Sequence, residues 1–407
     1  MGQPHRLDTD IPSTMLTEEC IQLHRGALRL FLVFRELFSR MCSSSVFKYL
    51  HEAKSPSPMI ERAEIAAVDL FCGVGGLTRG LEKSGIDVRL GVDIDVSCEY
   101  PYERNNRATF MLGSVDEVGG SHLNRFLWGA RHRLLAGCAP CQPFSTYSQK
   151  SRDSVDERWC LLRQFGRLVR EMQPELVTME NVPRLAQQEI FDEFVNDLRR
   201  QDFMVFHRVV NCADYGVPQL RHRLVLLASR LGDISLIEPV RKPENYRTVR
   251  DAIGSLPTIG AGEADERDPL HQASTLSPTN MKRIRVSTPG GTWRDWDEEL
   301  VATCHRRTTG KTYPSVYGRM GWDEPAPTVT TQFYGFGNGR FGHPEQHRAI
   351  SLREGAILQS FPKNYGFVAP GQPIYRKTIG RLIGNAVPVK LGQAIGRSIV
   401  RHVESCG

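Results

Sequence analysis

From residue 66 to residue 228 short apolar stretches of strand length alternate with stretches of helical period, and the first strand runs directly into glycines. The opening unit is Ala66-Ala67-Val68-Asp69-Leu70-Phe71, then Gly73-Val74-Gly75-Gly76, then a helical stretch over Thr78–Lys83. Strands are expected at Val88–Val92, Arg133–Ala136, Leu176–Met179, Phe203–Val210 and Arg223–Ala228. Helices are expected at Arg158–Met172 and Ile190–Arg200. Runs that are apolar on both faces suit strands covered on both sides, and parallel neighbours need crossover helices between them. The pattern therefore predicts an α/β architecture, a doubly wound, mostly parallel sheet with helices on both faces.

The pattern breaks twice. Residues 1–62 form a separate segment. There Leu16, Cys20, Leu23, Ala27, Leu30, Phe31, Phe34 and Phe38 recur at helical spacing, and Lys54-Ser55-Pro56-Ser57-Pro58 reads as a linker. Beyond about residue 234, Pro, Gly, Thr, aromatic and charged residues mix without long periodicity, until helices return at Ser351–Gln359 and Leu391–Val403. The expected organisation is an N-terminal helical extension and linker (1–62), a main domain (63–234), a smaller inserted domain (235–347) and a return to the main domain (348–407).

Of the 407 residues 40% are hydrophobic and 24% charged, the make-up of a globular protein, and the net charge of +6 leans towards a polyanionic partner without requiring one. No uninterrupted apolar run reaches the length of a membrane span, and the first residues carry neither a signal-peptide pattern nor a myristoylation motif. The ten cysteines lack the regular spacing of a disulfide framework and read as free thiols.

Six motifs carry chemistry. Asp69 to Leu77 holds Gly-x-Gly-Gly rather than a dinucleotide fingerprint. Glycines at a strand-to-helix turn let a ligand approach the backbone, and Asp93, at the end of the second strand, is placed to accept hydrogen bonds from ribose hydroxyls. Pro140-Cys141-Gln142-Pro143-Phe144-Ser145 presents a cysteine after a rigid residue, suited to nucleophilic attack. Cys138 and Cys141 also form a C-x-x-C, so a redox dithiol or half a zinc site stays open. Glu180-Asn181-Val182 places a carboxylic acid and an amide after a strand. In Gln219-Leu220-Arg221-His222-Arg223, alternation puts Gln219, Arg221 and Arg223 on one face, where two guanidinium groups need an anion or a polar ring. The last two are Arg353 to Pro362, a helix stopped by Phe-Pro, and Gly384-Asn385-Ala386-Val387-Pro388-Val389, a turn feeding the closing helix.

In order and spacing these motifs resemble those of the cytosine-C5 DNA methyltransferase family, prokaryotic restriction-modification type, over nearly all of residues 66–403. The resemblance implies a Rossmann-like S-adenosylmethionine-dependent methyltransferase fold with an inserted target-recognition domain. It implies S-adenosyl-L-methionine as cofactor, held by Phe71, Gly73, Gly75, Gly76, Asp93, Ile94, Ser114, Pro140, Asn385 and Ala386. It implies Cys141 as nucleophile, Glu180 engaging the cytosine N3 and exocyclic amine, and Arg221 and Arg223 contacting the flipped base and the catalytic carboxylate. Ser114 falls where the family often has an acid facing the adenine, with Asp116 two residues on.

Double-stranded DNA is the implied substrate, with Gln142, Ser145, Arg283, Arg285, Arg294, Arg306 and Arg319 as DNA contacts and no metal. The interleaved basic residues, Trp293, Trp296, Tyr313 and Tyr317 suit phosphate and base-edge contacts. A cytoplasmic, nucleoid-associated monomer is expected, with a cognate restriction endonuclease as a functional partner that no residue here displays. An RNA cytosine methyltransferase on the same core, and a non-catalytic DNA-binding relative, remain the competing readings.

Overall fold

The computed structural model describes residues 64–140 and 160–406. The expected helix within 1–62, the nucleophile Cys141, and Gln142 and Ser145 lie outside the described residues. Seven strands form one sheet: β1 (Ile65–Leu70), β2 (Asp87–Asp93), β3 (Thr109–Leu112), β4 (His132–Gly137), β5 (Leu176–Asn181), β6 (Met204–Asn211) and β7 (His222–Ser229). Their order is β3-β2-β1-β4-β5-β7-β6. The first five run parallel, while β7 is antiparallel to both β5 and β6. The sheet is thus mostly parallel, as expected, with an antiparallel edge built from β7 and β6. The reversal has a consequence for the site: it brings the start of β7 beside the end of β5.

The helices are α1 (Gly76–Glu82), α2 (Glu99–Asn105), α3 (Gly120–Phe126), α4 (Cys160–Met172), α5 (Glu189–Arg200), α6 (Val249–Ile253), α7 (Pro278–Val286), α8 (Thr303–Arg306), α9 (Leu352–Leu358), α10 (Arg376–Asn385) and α11 (Val389–Cys406). The short elements β3, α2 and α3 escape the sequence pattern. β3 is four residues long and alternates exposure, too brief for a periodic signal. One core layer on the sheet joins β-strand residues to α1, α9 and α11 through Leu77, Leu81, Leu391, Ile395 and Ile399. The layer on the opposite face is built by α4 and α5 through Phe165, Leu168, Val169, Phe191 and Phe194. The alternation of β1 shows the split, since Ala67 enters the first layer and Ala66, Val68 and Leu70 the second.

Close backbone approach fixes two glycines on α1. A Cβ on Gly80 would lie 2.4 Å from the Gly392 carbonyl carbon of α11, and one on Gly76 would lie 2.2 Å from the Val387 carbonyl oxygen. The C-terminal return is therefore seated directly on the glycine-rich turn.

Residues 235–347 contain short helices, 3-10 turns and isolated bridges. Part of the segment joins the main core, with Val249, Ile253, Leu270, Met320, Val329 and Phe333. Another part has its own small core of Ile284, Trp293, Trp296, Val316 and Phe336, closed by Ala349.

Candidate active site

Parallel strands present their carboxyl ends together, and in open α/β sheets ligands bind there. β1 leaves the sheet through Phe71, whose φ of 55° is rare for a residue with a side chain, and through Gly73 (φ 52°) and Gly75 (φ 85°), the residue that caps α1. The Gly73 amide donates to Asp93 Oδ2 at 2.9 Å, and the Asp95 amide donates to Oδ1 at 2.9 Å. Asp93 therefore holds the glycine turn and the start of the next loop, and each carboxylate oxygen keeps a lone pair for a further donor. No atom lies within 4 Å of where a Cβ on Gly73 would stand, so a ligand can approach this stretch of backbone.

Beside Asp93 two apolar side chains face outward, Ile94 at 73% exposure and Leu112 at 54%. Asp93 and Leu112 are register partners across β2 and β3. An apolar shelf next to a carboxylate at a strand end suits a flat ring joined to a ribose. Leu112 was not singled out in the sequence, because its partnership with Asp93 exists only through the β2–β3 pairing. Ser114 stands just beyond this shelf, and its hydroxyl donates to the exposed Asp116 carboxylate in a short contact, which holds the Asp116 carboxylate below its usual range. The acid two residues on is thus joined to Ser114. Asn385 is exposed at the end of α10 and Ala386 follows it, one residue before the Val387 carbonyl that touches Gly76. These residues fit an S-adenosylmethionine-type ligand in shape and donor pattern.

Beneath the turn lies a buried polar chain. Thr78 Oγ1 donates to Asp69 Oδ2 at 2.6 Å and is 3.0 Å from the Tyr102 hydroxyl. Burial, with the charge of Asp93, raises the Asp69 carboxyl to about 7 against the Thr78 hydrogen bond. Asp69 Oδ1 is buried without a hydrogen-bond partner.

The second half of the site lies at the ends of β4, β5 and β7. Glu180, the penultimate residue of β5, is only 3% exposed. Its Oε2 accepts the Cys138 thiol proton at 2.9 Å, and its Oε1 is 3.0 Å from Arg223 Nε. That ion pair lacks the angle of a hydrogen bond, so among the described residues Oε1 has no hydrogen-bond partner. The pair exists because Glu180 and Val225 are register partners, which puts Arg223 across the strand ends from the carboxylate. Asn181 Nδ2 donates to the Ala139 carbonyl at 2.9 Å. Asn181 thereby holds the end of the described chain at Ala139, and Pro140, the last described residue before 141, is exposed.

Two arginine expectations are corrected. Arg221 does not contact the carboxylate. Its guanidinium is fully buried and donates to the carbonyls of Val329 at 2.9 Å and Gly384 at 3.0 Å, with Ala386 at 3.4 Å. Burial and the neighbouring Arg223 charge lower it to about 9. Carbonyls outside any ladder claim this arginine, which makes it a brace between the start of β7, Val329 and the turn at Asn385. Gln219 belongs to the same brace, accepting from the Val329 amide at 2.7 Å and donating to the Leu358 carbonyl at 3.1 Å.

Arg319 is likewise no DNA contact: it is 2% exposed and donates to the carbonyls of Ile284, His343 and Gln346. Arg283 is also turned inward, donating to the Leu300 carbonyl at 2.8 Å with its guanidinium 5.2 Å from the Tyr317 ring centroid. Arg285, Arg294 and Arg306 are exposed. Arg294 rests over Trp293, and Arg306 donates to the Glu298 carbonyl. Among the described residues no cluster of three or more His, Cys, Asp or Glu side chains could hold a metal ion, and no helix is long and apolar enough to cross a membrane.

Solved structures with the same fold define the class. A DNA modification methyltransferase encoded within an E. coli prophage superposes with a TM-score of 0.64 at 23% identity, covering 84% of this chain and 99% of that one. DNMT2 of Spodoptera frugiperda superposes with a TM-score of 0.53 at 17% identity, covering 83% and 98%. The fold is that of the Rossmann-like methyltransferases. Residues 65–401 match the model of the C-5 cytosine-specific DNA methylases, and the chain belongs to that family. The Type II methylase M.HgiDII of Herpetosiphon aurantiacus is 54% identical over 342 residues, 83% of this chain and 96% of that protein. The Type II methyltransferase M1.HphI of Haemophilus parahaemolyticus is 32% identical over 82% of this chain and 86% of its own length. The chain is accordingly a DNA (cytosine-5)-methyltransferase of the Type II restriction-modification kind.

Proposed function

We propose that Cys141 is the nucleophile of this methyl transfer, that Glu180 is its acid, and that S-adenosyl-L-methionine is the donor. The observation that carries the reading is Glu180 itself: a buried carboxyl between the Cys138 thiol and Arg223, with one oxygen free of hydrogen bonds among the described residues, next to Asn181, which binds the Ala139 carbonyl. Such a carboxyl can hold a proton at N3 of a cytosine extruded from the duplex, since C5 and C6 are out of reach within the stack. Cys141 adds as thiolate to C6, and the electron pair released into the ring makes C5 nucleophilic. Arg223 orients Glu180. S-adenosylmethionine, when bound, supplies an electrophilic methyl group. Loss of the C5 proton to a base then expels the Cys141 thiolate and restores the aromatic ring.

The fit of the donor rests on the open approach to Gly73, the carboxylate of Asp93, the apolar shelf of Ile94 and Leu112, and the neighbouring Phe71, Gly75, Gly76, Asn385 and Ala386. The inserted segment 235–347 is assigned to reading double-stranded DNA through its exposed cations Arg285, Arg294 and Arg306. The enzyme is assigned to the cytoplasm as a monomer, beside a restriction endonuclease of the same specificity. Sequencing of 5-methylcytosine in DNA from cells expressing the chain, beside Cys141→Ser, tests the reading. A single short methylated motif absent from the Cys141→Ser cells is the expected result, and methylation that survives the substitution contradicts the assignment. Exchanging residues 258–345 for those of a relative should move the methylated motif.

A further inference from the structure

Between the 3-10 turn that follows β6 and the first turns of α11 lies a cavity of about 430 Å³ bounded by Tyr215, Gly216, Arg241, Lys390, Gln393 and Arg397. These residues come from three places: the 3-10 turn that follows β6, the stretch after β7, and the first turns of α11. Gly216 has φ 82°, and a Cβ there would lie 3.3 Å from Lys390 Nζ and 3.7 Å from Arg241 Nε. The glycine thus admits two cationic groups to one point. Among the described residues none of Arg241, Lys390 and Arg397 forms an ion pair. The only side-chain hydrogen bond of Arg241 runs to the Asn245 carbonyl at 2.7 Å. Half-burial and the charges of Arg247, Arg241 and Lys83 press Lys390 below the usual lysine range.

Like charges brought together in a concave, partly dehydrated place repel, and the repulsion is relieved when an anion enters. Three cations exceed what a single carboxylate neutralises. The planar guanidinium forks and the ammonium group together match the several oxygens of a phosphate. We propose that this cavity binds a phosphate group, gripped by Arg241, Lys390 and Arg397. The phosphate has two sources of the same chemistry, the backbone of a DNA strand passing the carboxyl end of the sheet, or a free oligophosphate. None of its lining residues is among those assigned to the cofactor or the base, and the proposal does not depend on the catalytic reading.

The full-chain protein is titrated with tripolyphosphate by calorimetry and with a fluorescent DNA duplex across a salt series. The double variant Lys390→Gln with Arg397→Gln is compared with the parent, Arg241→Gln serves as a second and milder variant, and Arg401→Gln, an exposed cation further along α11 outside the cavity, as control. If DNA supplies the phosphate, the double variant reduces the slope of log affinity against log salt by about 1.8, roughly 0.9 per lost contact. If a free oligophosphate does, tripolyphosphate binding is lost while the DNA slope stays. Either result, with Arg401→Gln unchanged, supports a phosphate site and names its source. The proposal is overturned if the variants leave both titrations as in the parent, or if Arg401→Gln has an equal effect. Arg241→Gln decides the matter should the double variant not fold.

Discussion

The sheet and the segment 235–347 satisfy their backbones by different means. In the sheet, ladders between neighbouring strands use the peptide groups, and the polar side chains at strand ends are left for chemistry: Asp93 at the end of β2, Glu180 at the end of β5, Arg223 at the start of β7. In residues 235–347 ladders are replaced by isolated bridges, and buried side chains take over the peptide groups. Arg319 serves three carbonyls, and Arg348, just past the segment, serves the carbonyls of Ile259 within it and of Ala349 while pairing with Glu354 of α9 at 2.7 Å. His271 bridges Ser351 and the Pro257 carbonyl. At the strand ends Arg223 faces the Glu180 carboxylate and is a candidate for function, whereas Arg319 in the second region, like Arg221 where β7 meets it, substitutes for secondary structure. Buried carbonyls must be paired by something, and where strands are missing a guanidinium with five donors is the most economical partner.

The sharpest way to break this contrast is Glu180→Gln, which keeps the shape of the site but removes the acid. Turnover should fall by about 10³-fold, within the range of lost general acid catalysis, while thermal stability changes little. A variant retaining more than a tenth of the parent rate in a methyl-transfer assay would deny Glu180 its role. Arg319→Met should do the reverse, costing about 3 kcal/mol in denaturant unfolding by stranding three buried carbonyls, with little specific effect on chemistry in the folded fraction. A loss of DNA affinity without loss of stability would restore Arg319 as a contact.

The two regions should also respond oppositely to pH. Asp69, raised to about 7 in the folded protein, favours the fold when protonated, so its contribution is present below about 4 and is lost as pH rises towards 7. His343 is lowered to about 4, mainly by burial, so its contribution is present above about 6.5 and is lost as pH falls. Burial would raise Glu354, but hydrogen bonds and charge from Arg348 bring it to about 2, and its contribution is lost as pH falls below about 4.5. Between pH 7 and 4 the parent should gain roughly 3 kcal/mol relative to Asp69→Asn and lose stability relative to His343→Gln. Unfolding curves of all three proteins across that window check both signs. The smallest effect is expected at Arg285→Ala, which should lower DNA affinity several-fold and the salt slope by about 0.9, with the melting temperature unmoved. A large loss of stability there would place Arg285 with the buried arginines.

Much of this was legible in residue order. The apolar runs of β1, β2, β4, β5 and β7 were visible because strands covered on both faces must be apolar throughout, and the glycine turn, Asp93, Glu180 and Asn181 stood at their ends. The sequence also marked where regular periodicity stopped. It did not reveal β3, too short to show a period, or the shelf that Leu112 forms with Ile94. Nor did it separate Arg221 from Arg223. Two residues apart and on one face by alternation, they meet different partners, since one reaches a carboxylate and the other carbonyls from residues more than a hundred positions away.

Residue type and spacing determined which groups could do chemistry and which elements would carry them, because both follow from local periodicity and side-chain identity. The tertiary structure decided which arginines are buried, how Asp69 and Glu180 are buried, and how three cations with no ion pair among the described residues come to line one cavity. Burial and charge neighbourhood depend on pairings between distant segments, and those pairings leave no trace in the spacing of residues along the chain.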